Sequence, residues 1–561
     1  MTTWLSRTLC RAALALMVMG CGSPALAEGP PKDPKDKVDA KPELRVDAPL
    51  PRHFLPEEKT STGSVVVAKQ RVDYRAVAGT LVVHPKGWDD VTARLADVED
   101  KPAKPDAGDD GKSAHKPISA EASMFYVAYL KQGAPSASRP VTFLFNGGPG
   151  SPTMWLHMGA FGPRRVVITG DQHVPAAPYT LANNDSSLLD VSDLVFIDAP
   201  GTGFSRIAGQ DKEKSFYGVD PDAHAFAEFI TAWLGKYGRW NSPKYLFGES
   251  YGTTRSAVLI DELESRRLVD FNGVILLSQI LNFHLSPDRA ERDPGVDLAY
   301  ELALPTFAAT AWYHKKLGTD APSDLKTLLA EVERFAVTDY ALALQQGSAL
   351  SEADRTRIAD QLHRYTVLPV AYVRKANLRI TGGDFRKALQ DSADQSTGRL
   401  DTRFAGPAMD PLEKNPDYDP FSSAVGSAYV SAFNDYVRKD LKFGDDRAFF
   451  PSMPVYKTWN MEHQAPGFDA PSREGLNVMP DLASAMKHNP NLKVLLNAGY
   501  YDLATPFFQG VYEMQHLPMP DKLQANIEYR FYDSGHMVYV QDASLKALHD
   551  NVADFIRRTS H

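Results

Sequence analysis

The sequence predicts an α/β fold: a mostly parallel central sheet with flanking helices and a large, mainly helical insertion. Short continuous apolar runs, Leu194-Val195-Phe196-Ile197, Tyr245-Leu246-Phe247, Val274-Ile275-Leu276-Leu277 and Val494-Leu495-Leu496, have the character of strands covered on both faces. Helix-compatible segments at 223–234 and 543–557 fall between and after them. That rhythm breaks between about 281 and 490, where the pattern is mostly helical, as expected of a cap inserted between two strands. The 561 residues are enough for a large core, and 43% hydrophobic with 23% charged residues is ordinary globular composition.

Along the chain, Arg7 and Arg11 precede an apolar run at 12–19, and Ala25-Leu26-Ala27 has the form of a cleavage site. Residues 1–27 therefore read as an export signal, too short in its apolar part to span a bilayer, with Glu28 as the mature N-terminus in the periplasm or outside the cell. The alternative is a bacterial lipobox, Val18-Met19-Gly20-Cys21, with a lipid anchor on Cys21. The cysteines are Cys10 and Cys21, both inside this segment, so the mature chain has no disulfide and no thiolate ligand. The formal net charge is −9 although the signal carries two arginines and no acid; so acidic a body excludes nucleic acid as a partner.

Residues 28–62, rich in Pro, Lys and Asp, read as a disordered linker. The first part of the core, 63–280, opens with a β-rich extension at 64–67 and 80–83, followed by a polar loop at 99–116 and strands at 124–130 and 141–145. The cap, 281–490, holds helical patterns at 325–335 and 352–365 and a Pro- and Asp-rich stretch near 407–420. The second part of the core, 491–561, adds a strand at 527–532 and a closing helix with Leu545, Leu548, Val552 and Phe555 at helical spacing.

The chemistry is concentrated in Gly248-Glu249-Ser250-Tyr251-Gly252, a G-x-S-x-G turn directly after a strand. A lone match of this kind arises by chance in long chains, but strand before and helix after are the context a nucleophile elbow requires. A serine hydroxyl needs a base, and in this fold the partners follow in the order Ser, Asp or Glu, His. Asp502, just past the strand at 494–496, and His536, just past 527–532, stand at the carboxyl ends of strands, where such sheets carry their sites. Asp533 is the rival carboxylate, too near His536 in sequence to lie on a separate strand end. Ser250 is thus the expected nucleophile, His536 the base and Asp502 its orienting partner. The strand at 141–145 ends in Asn146-Gly147-Gly148-Pro149-Gly150, and the amides of Gly148 and Tyr251 are the expected oxyanion donors. The chain is then an α/β-hydrolase whose acyl transfer needs neither metal nor organic cofactor.

Four blocks taken together, Asn146 to Gly150, Phe196-Ile197-Asp198-Ala199-Pro200-Gly201-Thr202-Gly203-Phe204-Ser205, the serine turn, and Gly535-His536-Met537-Val538, resemble the serine carboxypeptidases, here as a bacterial-type member. The resemblance covers roughly residues 120–560 and implies peptides with a free C-terminus as substrates. It also implies that Asn146, Gly147 and Glu249 bind the terminal carboxylate, and that Met537 lines the pocket of the departing residue. Glu249 can serve there only when protonated, since an ionised carboxyl would repel the substrate's own.

Three positions depart from the pattern. Ser151-Pro152 replaces a Cys-Ser pair, and Tyr539 stands where proline is usual. Ala160, two residues before Gly162-Pro163, takes the place of a second Glu that would hydrogen-bond the first. The missing partner predicts a lower pKa for Glu249 and a less secure exopeptidase specificity. The alternatives are an esterase or acyltransferase on the same scaffold, and a catalytically silent envelope binding protein. Acid and amide forms of one substrate separate the first from a carboxypeptidase; labelling by an active-site serine probe removes the second.

Overall fold

A ten-stranded sheet organises the computed structural model, which describes residues 52–91, 119–135, 137–168, 170–288, 290–472 and 475–560. The expected signal at 1–27, the linker up to residue 51 and the polar loop at 99–116 lie outside the described residues. Nine strands form the sheet's main path: β1 (Glu58–Val67), β2 (Gln70–Val83), β3 (Glu121–Lys131), β4 (Val141–Phe145), β5 (Asp193–Ile197), β6 (Lys244–Glu249), β7 (Gly273–Leu277), β8 (Lys493–Gly499) and β9 (Ile527–Tyr532). Their order is β1-β2-β3-β5-β4-β6-β7-β8-β9, with a short strand Arg206–Ala208 on β3. From β5 to β9 every neighbouring pair is parallel, while β1, β2 and β3 run antiparallel to their neighbours.

Every residue of β4, β5, β6 and β7 is buried, which is why these strands read as unbroken apolar runs. Their side chains still alternate between faces. Phe143, Leu246 and Val274 point to the layer built by α1 (Val219–Tyr237) and α2 (Tyr251–Asp261). Leu144, Phe247 and Ile275 point to the opposite layer.

Two expected boundaries shift. β1 begins at Glu58, so the last residues of the predicted linker are strand, paired from Glu58↔Gly79 to Thr62↔Arg75. Their polar side chains hide the pattern because one edge and one face of this hairpin meet solvent. The insertion expected at 281–490 is divided in its packing. Helices α3 (Leu298–Tyr313), α4 (Leu325–Phe335) and α5 (Glu352–Thr366) share an apolar cluster of their own. By contrast, α6 (Pro420–Lys439) and α7 (Met479–His488) pack on the two faces of the sheet, α6 on the same face as the closing helix α8 (Asp542–Thr559). Sequence position alone does not distinguish a cap helix from a helix that covers the sheet. Among the described residues no helix is long and apolar enough to cross a membrane.

Candidate active site

Ser250 occupies the turn between β6 and α2 with φ 62° and ψ −130°, a conformation that costs a non-glycine residue energy and persists because both flanking elements are fixed. The flanking glycines make room: a Cβ on Gly248 would fall on the carbonyl of Gly252, and one on Gly252 would stand 2.8 Å from the carbonyl of Phe145. The Ser250 amide donates to the carbonyl of Leu277 at the end of β7 (3.0 Å). Ser278, next in line, donates its amide to Asn497 of β8 (2.9 Å) and its hydroxyl to the carbonyl of His536 (2.7 Å). The ends of β6, β7, β8 and the loop after β9 are thus tied side by side.

Asp502 and His536 are brought together. His536 Nδ1 lies 2.7 Å from Asp502 Oδ2, with the carboxylate fully buried and the imidazole nearly so. Asp502 Oδ1 also accepts the amides of Ala504 (2.9 Å) and Thr505 (3.0 Å), and its Oδ2 the hydroxyl of Thr505 (2.7 Å). Burial alone would lower the imidazole's pKa, but the Asp502 charge and hydrogen bond outweigh it and raise it. A carboxylate held this way fixes the tautomer with Nδ1–H toward Asp502, which leaves Nε2 to take a proton from a hydroxyl. Asp533 makes no such contact; its carbonyl accepts from Arg403 (3.0 Å). Arg403 also reaches Ser534 Oγ (3.1 Å), and the His536 amide donates to the carbonyl of Leu400 (2.7 Å). The loop that carries His536 is therefore held by Leu400 and Arg403, neither of which carries a motif.

The turn 146–150 lies over the start of α2. A Cβ on Gly147 would stand 2.6 Å from the Gly252 amide, so the first amides of a helix whose start has no side-chain cap face that turn. Gly148 adopts φ 110° there, a conformation open to glycine. Asn146 is fixed on several sides: Oδ1 accepts from Leu156 N (3.1 Å), its carbonyl accepts from Arg255 (2.8 Å), and its amide donates to Thr153 Oγ1 (3.3 Å). Arg255, equally unforeseen, is wholly buried on α2 and paired with Asp222 of α1 at 2.6 Å. Its guanidinium also lies 4.4 Å from the centre of the Phe226 ring.

Glu249 is 3% exposed. Burial pushes its pKa up to about 7, against the pull of His536, Tyr539 and Asn146. The missing partner at Ala160 and the burial of Glu249 act in opposite directions, and removal from water sets the net upward shift. The Tyr539 hydroxyl, 3.1 and 2.9 Å from the two carboxyl oxygens, supplies a partner in its place. Met537 is 5% exposed and belongs to the apolar cluster that includes Tyr429, Val538 and Tyr539. Among the described residues no group of three or more His, Cys, Asp or Glu is arranged to hold a metal ion.

The serine carboxypeptidase family model matches residues 113–291. That segment contains the 146–150 turn and Ser250 but neither Asp502 nor His536. A pheromone-processing carboxypeptidase, KEX1, of Leptosphaeria maculans is 29% identical over 143 residues, 25% of this chain and 20% of that protein. Serine carboxypeptidase-like 36 of Arabidopsis thaliana is 25% identical over 172 residues, 29% of this chain and 33% of that protein. The chain thus spans a third or less of these relatives. Among solved structures, KEX1(Δ)p, a prohormone-processing carboxypeptidase from Saccharomyces cerevisiae, is 14% identical, covers 86% of this chain and 91% of its own, and has a TM-score of 0.49.

Proposed function

We propose, from the match of residues 113–291 to the serine carboxypeptidase family model, that this protein is an exported serine-type carboxypeptidase that removes residues from the free C-terminus of peptides. The observation that carries the reading is Glu249: a buried carboxyl with a pKa near 7, next in sequence to Ser250 and flanked by Asn146. Below that pH it is a neutral donor in a water-excluded place, suited to a terminal carboxylate that an ionised group would repel.

Ser250 Oγ attacks the carbonyl of the last peptide bond as His536 Nε2 takes its proton. The amides of Gly148 and Tyr251 stabilise the negative oxygen that develops. His536 then passes the proton to the departing amino group, the C–N bond breaks, and the C-terminal amino acid leaves an acyl ester on Ser250. Water, deprotonated by His536, attacks this ester and regenerates the serine hydroxyl. Asp502 stabilises the imidazolium in both halves. Asn146, the Gly147 amide and neutral Glu249 hold the substrate carboxylate, and Met537 lines the space of the departing side chain.

The test is KM against pH for one blocked dipeptide acid and its amide. KM for the acid rises as pH passes through about 7, where Glu249 loses its proton, while the amide, with no terminal charge, lacks that rise. Glu249→Gln, neutral throughout, flattens the dependence. Because a hydrogen bond to a charged partner contributes about 1.5–3 kcal/mol, the change in KM is about 10- to 150-fold. If acid and amide behave alike in the unaltered protein, an esterase replaces the carboxypeptidase.

Export rests on the N-terminal segment. Mass spectrometry of the protein from its native envelope is expected to find Glu28 at the N-terminus. A diacylglyceryl-modified Cys21 would establish the lipid anchor instead.

A further inference from the structure

We infer that Tyr539 is the positioning residue for Glu249, its hydroxyl fixing the carboxyl and setting the pH at which this chain stops binding a terminal carboxylate. This rests on the carboxypeptidase reading above and concerns the same site.

The geometry is specific to a hydroxyl. Tyr539 Oη lies 3.1 Å from one Glu249 oxygen and 2.9 Å from the other, with both residues buried. Space for the ring is built into the short helix Leu156–Phe161, where a Cβ on Gly159 would stand 2.6 Å from Tyr539 ring carbons. At the next position stands Ala160, a methyl where the resemblance implies a carboxyl. A phenol O–H donates best to an ionised acceptor, so it favours the charged form of Glu249 and holds its pKa below what burial alone would set.

A second carboxyl in that place would act in the opposite sense, because two acids in contact cannot both ionise. Tyr539 keeps its own proton: burial and the Glu249 charge push its pKa well above the ordinary value. The pair therefore changes charge through Glu249 alone.

Other groups among the described residues also bear on Glu249. His536, from the loop after β9, and the Asn146 amide, from the turn after β4, pull its pKa down; Asp502, from the end of β8, pushes it up. Tyr429 of α6 feels the Glu249 charge, and Arg165 stands beyond it. Arg399, from the insertion, acts on His536. Tyr539, whose hydroxyl also bonds the Asn146 side chain, can lose these hydrogen bonds with almost no change of shape, because phenylalanine is the same ring without the oxygen.

In Tyr539→Phe, the pH midpoint of KM for a blocked dipeptide acid should move upward by about one to two units, the size of one hydrogen bond to a charged group. Above the unaltered protein's midpoint the variant should therefore bind the acid more tightly, by up to about 10- to 100-fold. A merely structural tyrosine predicts weaker binding at all pH values and no movement of the midpoint. The matched amide, measured alongside, should show no such displacement. An unmoved or lowered midpoint for the acid, in a protein that does discriminate acid from amide, overturns the inference while sparing the carboxypeptidase reading. An equal displacement for the amide overturns it too, because the hydroxyl would then act through His536. A lack of acid–amide discrimination in the unaltered protein removes both.

Discussion

Replacing Ser250 with alanine is expected to abolish peptide turnover, by about 10⁶-fold where the three residues act as a unit, while leaving the fold in place. The side chain shrinks, and the hydrogen bonds that hold the turn come from the backbone, as in the Ser250 amide to Leu277. His536→Ala should be nearly as severe, because Asp502, although held by two amides and the Thr505 hydroxyl, has no proton acceptor to place without the imidazole. The informative measurement is the double variant. If Ser250 and His536 share one step, Ser250→Ala with His536→Ala is little slower than either alone. Multiplying losses, or more than a few per cent of activity in a folded Ser250→Ala protein, would remove the triad assignment.

The second large effect falls on stability. Arg255→Met leaves Asp222 buried with its guanidinium partner gone, and breaking a buried pair from one side costs about 3–5 kcal/mol. It also takes a donor from the carbonyl of Asn146, so the turn that receives the substrate carboxylate loosens, and KM for an acid substrate should rise in the protein that still folds. Denaturant midpoints read the first effect and steady-state kinetics the second. Pairing Arg255→Met with Asp222→Leu should recover much of the stability, since no uncompensated charge is then left in the core. It should not recover the KM, because the Asn146 carbonyl still lacks its donor. A double variant as unstable as the single would mean that shape, not charge, sets the cost.

What the sequence by itself determined is what neighbours along the chain can enforce. Strand, tight turn and helix around Ser250 are written in five residues, because only small residues two positions to either side admit that backbone. The strands from β4 to β8 were legible because burial on both faces demands unbroken apolar runs. Asp502 and His536 were legible as residues standing just past the ends of two strands, β8 and β9, although only the sheet order brings them within 2.7 Å.

Tertiary structure decided whatever depends on partners far apart in sequence. The protonation of Glu249 is one case: the missing partner at Ala160 pointed down, and burial pushes up. Tyr539 was visible as a departure from pattern, but its meaning needed a contact across 290 residues. Arg255, an arginine on a helix, gave no sign that it would be enclosed with Asp222 and aimed at Asn146. Nor could the helical insertion announce which of its helices would cover the sheet. Local sterics act within a few residues and leave a spacing in the sequence; desolvation and paired charge act through space, and the chain records them once it has folded.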